Sequence, residues 1–260
     1  MTTKVAIVGA SGRMGVLISD LVDSLPDFDV VASLGSKDPI ESMLPADVVV
    51  DVTVPAVSQS IVEFAVEHGL SVLVGTSGWS NDRIRSLEKS VATKPGVGVI
   101  IIPNFSLGSV LATAFAATAA RFFDSIEIVE SHHASKVDSP SGTAVRTAEL
   151  IGATRAALGP VIAPHADQRS RGQQVSSVPI HSLRMQGVVA KQDVIFGGVG
   201  ETLTLSHETL SPSSYIAGIT LALRALATTD GVVVGLDRLV DIGSVPAPAP
   251  ISPSAADGAE

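Results

Sequence analysis

The chemistry of this chain concentrates in one segment, Glu130-Ser131-His132-His133-Ala134-Ser135-Lys136-Val137-Asp138-Ser139-Pro140-Ser141-Gly142-Thr143-Ala144. His132, His133 and Lys136 fall at the end of an alternating, strand-like pattern over residues 126–131. A loop then leads into a helical pattern whose first turn carries Ser141, Gly142 and Thr143. A helix start presents unpaired N–H groups and the positive end of the helix dipole, so it is a ready carboxylate site. Lys136 adds a full positive charge. Histidine trades a proton near neutral pH, which reduction of a C=N or C=C bond requires alongside hydride. A bland reading takes Ser141 as an ordinary N-cap and the histidines as strand-end surface residues. It accounts for Ser141, but it does not explain why two of the chain's 6 histidines share a short loop with a lysine.

A second constellation lies near the start of the chain. Gly9-Ala10-Ser11-Gly12-Arg13-Met14-Gly15 is a GxxGxxG sequence between a strand pattern and a helix pattern. Glycines there let the backbone turn tightly and approach a pyrophosphate, whose charge sits at the helix N-terminus. The same glycines can also form a tight turn with no ligand, but the position in a first βα unit favours dinucleotide binding. A site for NADH usually places Asp or Glu at the end of the second strand, to bond the ribose hydroxyls. That region reads Ala32-Ser33-Leu34-Gly35-Ser36-Lys37-Asp38, with no acid directly at the strand end. Ser36, Lys37 and Arg13 suit a 2′-phosphate instead, which favours NADPH over NADH, although a lone loop lysine is more often simply solvated.

Both constellations need a frame. Strand patterns at residues 5–8, 30–34, 47–52, 71–74 and 97–102 alternate with helix patterns at 14–25, 58–68 and 82–92. Such alternation implies right-handed crossovers and an α/β, doubly wound parallel sheet. After Asn104 the pattern changes. A long Ala-rich helix is predicted over 107–123 and another helix over 143–158. A surface loop spans 159–178, and strands follow near 180–185, 189–196 and 201–207. Clustered strands predict a second, α+β domain with an open, partly antiparallel sheet. A final helix spans 215–228. The expected organisation is a dinucleotide-binding domain from 1–104 and 215–243, an inserted domain from 105–214, and a disordered Pro/Ala/Ser tail over 244–260. No internal repeat is present.

Composition narrows the function classes. The chain has 260 residues, 45% hydrophobic and 17% charged, with only 3% aromatic, so its cores must be Val, Ile, Leu and Ala. A net charge of −9 argues against nucleic acid and anionic membranes as partners, though not against a small anion at a local basic cluster. With no cysteine, disulfides, thiolate nucleophiles and Cys-ligated metals are excluded. No signal-peptide h-region or membrane-length apolar run is visible, so a soluble, cytoplasmic protein is expected.

The pattern E-x-H-H-x-x-K-x-D-x-P-S-G-T-A resembles the signature of the dihydrodipicolinate reductases, now called 4-hydroxy-tetrahydrodipicolinate reductases. The resemblance covers about residues 4–243. The glycine loop comes first, followed in family order by D-x-T-x-P from Asp51 to Pro55, G-T-S-G from Gly75 to Gly78 and P-N-F-S-x-G from Pro103 to Gly108. Beyond the signature come Arg171-Gly172, Arg184 with Gly187, and Gly200-Glu201 with His207. The resemblance implies a Rossmann-type domain that the chain leaves near Asn104 and rejoins near Tyr215. The inserted domain would bind substrate and build a homotetramer through its sheets. It further implies that His132 is the catalytic proton donor and acceptor, with Lys136 its partner. His133, Lys136, Ser141, Gly142 and Thr143 would bind the two substrate carboxylates. Gly9, Ala10, Ser11, Gly12, Arg13, Met14, Gly75, Thr76, Ser77, Ile102, Pro103, Asn104 and Phe105 would line the cofactor. The reaction implied is hydride transfer from the nicotinamide to a conjugated imine or diene in a dicarboxylate ring, yielding tetrahydrodipicolinate for diaminopimelate and lysine biosynthesis.

Four positions depart from the family's usual pattern. Val52 stands where an aromatic is common, Ser77 where a threonine is, Lys191 where a histidine is, and Pro212 where an arginine is. Rival chemistries fare worse. A short-chain dehydrogenase needs Tyr and Lys at i and i+4, but the only tyrosine, Tyr215, has Ile219 there. A semialdehyde dehydrogenase needs a cysteine. A metal hydrolase built on His132, His133 and His207 lacks ligand spacing, since neighbouring strand residues point to opposite faces. A dinucleotide sensor without turnover has no need of the His132 and Lys136 pair. A reductase of a different dicarboxylate would share all these features, because carboxylate clamps recognise charge rather than ring structure.

Overall fold

The computed structural model describes residues 2–241; the predicted tail lies outside them. Two sheets organise the chain. The first has six parallel strands in the order β11-β5-β4-β3-β1-β2. Its central members are β1 (Thr3–Val8), β3 (Val48–Asp51), β4 (Ser71–Val74) and β5 (Gly98–Ile101), with β2 (Phe28–Leu34) and β11 (Gly231–Val234) at the edges. The central strands are near-continuous Val, Ile and Leu because helices cover both faces. On β1, Val5 and Ile7 face one core and Ala6 and Val8 the other. Helix α1 (Arg13–Ser24) brings Ile18, Leu21 and Val22 to the first core, and α6 (Ile216–Ala225) brings Ile219, Ala222 and Leu223. Helices α2 (Pro55–Glu67) and α3 (Asn81–Val91) bring Ile61, Val62, Ala65, Leu87 and Val91 to the second. Strand order reverses between β1 and β3, which opens a crevice at the carboxyl ends of those strands, the usual ligand position in such sheets.

The second sheet has five strands in the order β10-β9-β6-β8-β7. These are β6 (Ser125–His133), β7 (Gln173–Val175), β8 (Val178–Met185), β9 (Ala190–Gly198) and β10 (Glu201–Thr209). Only β6 and β8 pair in parallel. Helices α4 (Leu107–Ala119) and α5 (Gly142–Thr154) cover one face, with Ala116, Ala148 and Ile151 packed on Ile126, Ile128, Ile180, Val194 and Phe196. The opposite face carries Glu127, Val129, His181 and Ile195, with Leu183 and Met185 about half exposed at 45% and 50%. The chain passes from the first sheet to the second between Ile101 and Leu107, and returns between Thr209 and Ile216.

Several elements differ from the sequence-based expectation. The expected loop over 159–178 contains β7, closed on β8 through Ser176 and Ser177, whose φ angles of 47° and 68° make a tight two-residue turn. Helices α4 and α5 stop earlier than residues 123 and 158. The buried Arg155 ends α5 and donates to the Ala120 and Phe123 carbonyls, tying the two helix C-termini together. β11 joins the parallel sheet beside β5 after the final helix, where no strand was expected.

Candidate active site

The strand β6 sends Ile126, Ile128, Glu130 and His132 to one face, by the two-residue period of a strand. The first two fill the core. The third is a carboxylate with no exposed surface, which a protein tolerates only when it is paired. Register places Arg184 of β8 beside His132. Its guanidinium reaches both Glu130 oxygens, Nη1 to Oε2 at 2.9 Å and Nη2 to Oε1 at 2.9 Å. His132 Nδ1 lies 2.6 Å from Oε2, and the Ser141 N–H donates to Oε1 at 3.1 Å. Burial alone would raise the Glu130 carboxyl, but hydrogen bonds from Arg184, Ser182 and His132 hold it below the ordinary glutamate value. Burial lowers the His132 pKa, and the positive Lys136 and Arg184 add to that, so the bond to Glu130 offsets it only in part.

His132 opens onto a cleft of about 450 Å³ that runs between the two sheets' loops. Lys136 faces it from the following turn, ion-paired to Asp138 at 2.7 Å, and that bond lowers the Asp138 pKa. His133 is exposed at the rim, with Nδ1 2.8 Å from the Ser135 hydroxyl. Buried Ser141 caps α5, its Oγ accepting the Ala144 N–H at 3.3 Å. Ser141 and Thr143 both line the cleft; Gly142 is exposed beside them and adds nothing to the lining.

The opposite wall comes from the glycine loop and the ends of the parallel strands. Arg13, Met14, Gly75, Pro103, Asn104 and Phe105 line it. Gly9 has φ +90°, and a Cβ there would lie 2.6 Å from the Val52 carbonyl oxygen, so only glycine fits. Gly12 stands at the N-cap of α1 with no side-chain cap bond, leaving the first-turn N–H groups facing outward from the loop. A Cβ at Gly75 would lie 2.8 Å from the Phe105 ring and 3.0 Å from Val52, so glycine lets Phe105 pack across the strand end.

Other predicted residues stand behind or beyond this wall. Ile102 is buried in the core, and buried Thr76 accepts the Thr53 N–H at 2.9 Å. Ser77 and Lys37 are exposed, and neither borders the cleft; nor do Gly9, Ala10, Ser11 and Gly12. The Asp38 carboxylate folds back to accept the Gly35 N–H at 2.7 Å, which brings an acid to the end of β2 that sequence position alone does not put there.

Several contacts around the cleft emerge only from the fold. Asn104 accepts the Ser106 N–H at 2.9 Å and donates to Ser109 Oγ at 3.0 Å and Thr143 Oγ1 at 3.4 Å, joining the crossing point to the start of α5. His207 of β10 lies 3.1 Å from Ser106 Oγ, and burial lowers its pKa. Gly108 makes room for that ring, since a Cβ would lie 2.8 Å from it. Lys191 also lines the cleft while pairing with Asp193 at 3.2 Å, and so does Pro212. No spacing rule connects Ser106 to His207, 101 residues apart, and only the packing of α4, which Ser106 caps, against β10 reveals the pair.

Known proteins match this chain over nearly all of the two sheets' residues. The family profile described as "Dihydrodipicolinate reductase, N-terminus" matches residues 3–105, and "Dihydrodipicolinate reductase, C-terminus" matches residues 108–240. A relative from Clavibacter michiganensis subsp. michiganensis (strain NCPPB 382), named 4-hydroxy-tetrahydrodipicolinate reductase, is 69% identical over 93% of this chain and 87% of its own length. One of the same name from Streptomyces griseus subsp. griseus is 43% identical over 92% of this chain and 98% of its own. The solved structure of dipicolinate-bound dihydrodipicolinate reductase from Paenisporosarcina sp. TG-14 superposes with a TM-score of 0.81 at 29% identity, covering 92% of this chain and 100% of that one. A myo-inositol dehydrogenase from Corynebacterium glutamicum ATCC 13032 shares the fold alone, at a TM-score of 0.55 and 13% identity. With the glycine loop inside the first profile, His132 and Lys136 inside the second, and a relative 69% identical, this chain belongs to the dihydrodipicolinate reductase family.

Proposed function

We propose that this chain reduces 4-hydroxy-tetrahydrodipicolinate to tetrahydrodipicolinate with NADPH or NADH, as a cytoplasmic step of diaminopimelate and lysine biosynthesis. One observation carries the reading. A single cleft holds His132, Lys136 and the open N-terminus of α5 on one wall, and the end of the glycine loop on the other. The relatives' name supplies the substrate, and dipicolinate, the ligand named with the Paenisporosarcina enzyme, is a ring with two carboxylates of the kind this wall suits.

The residues divide the work between two units, residues 1–104 with 215–243 for the dinucleotide and 105–214 for substrate and assembly. In the first, residues 9–14 and the uncapped first turn of α1 would hold the pyrophosphate. Gly75, Thr76, Ser77 and residues 102–105 would form the floor beside the nicotinamide, and Arg13 and Lys37 would meet a 2′-phosphate, which favours NADPH. Asp38 at the end of β2 gives the ribose hydroxyls of NADH a partner as well. When bound, the reduced nicotinamide supplies the hydride.

In the second unit, His133, Lys136 and the start of α5 at Ser141, Gly142 and Thr143 would hold the two carboxylates, fixing the ring against the opposite wall. The net change replaces the 4-hydroxyl by hydrogen, so that oxygen leaves as water. His132 delivers the proton that must accompany hydride, with Lys136 assisting. The resting imidazole is held neutral by burial, and two arriving carboxylates favour its charged form, so substrate arms its own acid. The open face of the second sheet, with Leu183 and Met185, would pack in a homotetramer.

The test follows loss of reduced-nicotinamide absorbance while dihydrodipicolinate synthase generates substrate in situ, with NADPH and NADH run in parallel. Wild type should oxidise the cofactor rapidly. His132→Gln and Lys136→Ala, folded by circular dichroism, should each lose about a hundredfold or more in kcat. Cofactor binding without oxidation by wild type would overturn the assignment.

A further inference from the structure

We infer that Glu130 is the positioning residue of this site: held by Arg184, it fixes the tautomer of His132 and locks that histidine to the start of α5. The inference rests on the reading of His132 as the proton donor. It begins with an anomaly of pattern. The inward positions of β6 before Glu130 are Ile126 and Ile128, and an apolar residue would continue the core. A buried ion pair rarely stabilises more than well-packed apolar side chains of the same volume. The carboxylate therefore needs another reason to be there.

Its hydrogen bonds supply one. An ionised carboxylate only accepts, so the 2.6 Å contact with His132 requires the hydrogen on Nδ1. Nε2 of the neutral ring is then left with its lone pair and becomes the atom that gains and gives the proton. The bidentate Arg184 contacts keep Glu130 ionised despite its complete burial. The other groups acting on His132 are Lys136, paired to Asp138, and Arg184 itself; its neighbour on β9 is the neutral Ala190. Glu130 is thus the one anion bonded to this ring among the described residues.

The same carboxylate reaches further. Its Oε1 accepts the N–H of Ser141, the N-cap of α5, so the proton donor and the carboxylate-binding turn hang on the two oxygens of one side chain. Arg184 closes the intervening loop by donating to the Asp138 carbonyl at 2.7 Å. Moving His132 relative to the helix start therefore means breaking this unit, which is the rigidity a site needs to hold acid and substrate in fixed relation.

The experiment is Glu130→Gln, read by nitrogen NMR of the ¹⁵N-histidine-labelled resting enzyme and by kinetics. Wild type should show His132 protonated at Nδ1 and bare at Nε2. In the variant the amide can donate to Nδ1, so the tautomer should switch to Nε2–H. The His132 titration midpoint should move, and kcat should fall about a hundredfold with the KM for cofactor unchanged. A folded variant that keeps the Nδ1–H tautomer, the titration and kcat would overturn the inference. Arg184→Lys provides the second arm should Glu130→Gln not fold. It keeps the carboxylate ionised but loses the fork, so the tautomer should persist while the substrate KM rises severalfold. An unchanged KM there would equally overturn it. The NMR readout needs no substrate, so it stands apart from the substrate assignment, which fails only if wild type does not turn over.

Discussion

His132 is held in a state that makes its pH dependence diagnostic. Burial, Lys136 and Arg184 together keep its pKa below the ordinary imidazole value in the free enzyme. Acting as an acid, it must be protonated, and protonation is lost as pH rises. The expected kcat/KM profile therefore falls with rising pH above a midpoint lower than about 6.5. The corresponding limb in kcat should lie at higher pH, because bound carboxylates favour the imidazolium, and His132→Gln should remove both limbs. A profile flat through that range would contradict the acid role. This residue and Lys136 were legible in the sequence because they share one loop with the α5 start. Glu130 was visible there without a role, since its partner Arg184 stands 54 positions away and meets it only through the β6–β8 register. His207 was legible as part of a motif, but its contact with Ser106 was not.

The parallel-sheet elements were readable because each buried strand is a continuous apolar run between helical patterns. Where that signal failed, the reason is local. β7 is three residues long, and only Val175 of its Gln173-Gln174-Val175 is apolar, so it carries no alternating pattern even though Val175 packs on the second core. β11 is a short Gly231-Val232-Val233-Val234 run that is stabilised by adding to an existing edge at β5, a tertiary effect absent from local sequence. The glycine loop tests the element-scale reading. Gly9→Ala forces a side chain into φ +90° and against the Val52 carbonyl. It should lower stability by about 1–3 kcal/mol in urea unfolding and raise the KM for NADPH more than that for the dicarboxylate. Equal effects on both constants would mean that the loop supports the fold without touching the dinucleotide.

At the scale of the whole molecule, two sheets with separate cores meet at the crossings near residues 101–107 and 209–216, and the cleft lies where they meet. That arrangement follows from the change of pattern after Asn104, which is why the two-sheet plan could be read before any contact was known. Assembly could not be read from pattern: the tetramer was implied by family resemblance alone. The second sheet leaves Leu183 and Met185 half exposed on its open face, the surface proposed for that assembly. Sedimentation velocity should show a tetramer, and Leu183→Asp should shift it to smaller species with the fold retained. A wild-type monomer would remove the open face as an interface.

The proposed reaction requires that the hydrogen replacing the 4-hydroxyl come from the cofactor, while a proton balances the oxygen that leaves as water. The most direct measurement is mass spectrometry of the dicarboxylate formed by wild-type enzyme from NADPH deuterated on the transferred face of nicotinamide C4. The expected result is one cofactor deuterium retained in tetrahydrodipicolinate, with its formation collapsing in His132→Gln. NADPH consumed without deuterium in the dicarboxylate would contradict hydride transfer in this cleft.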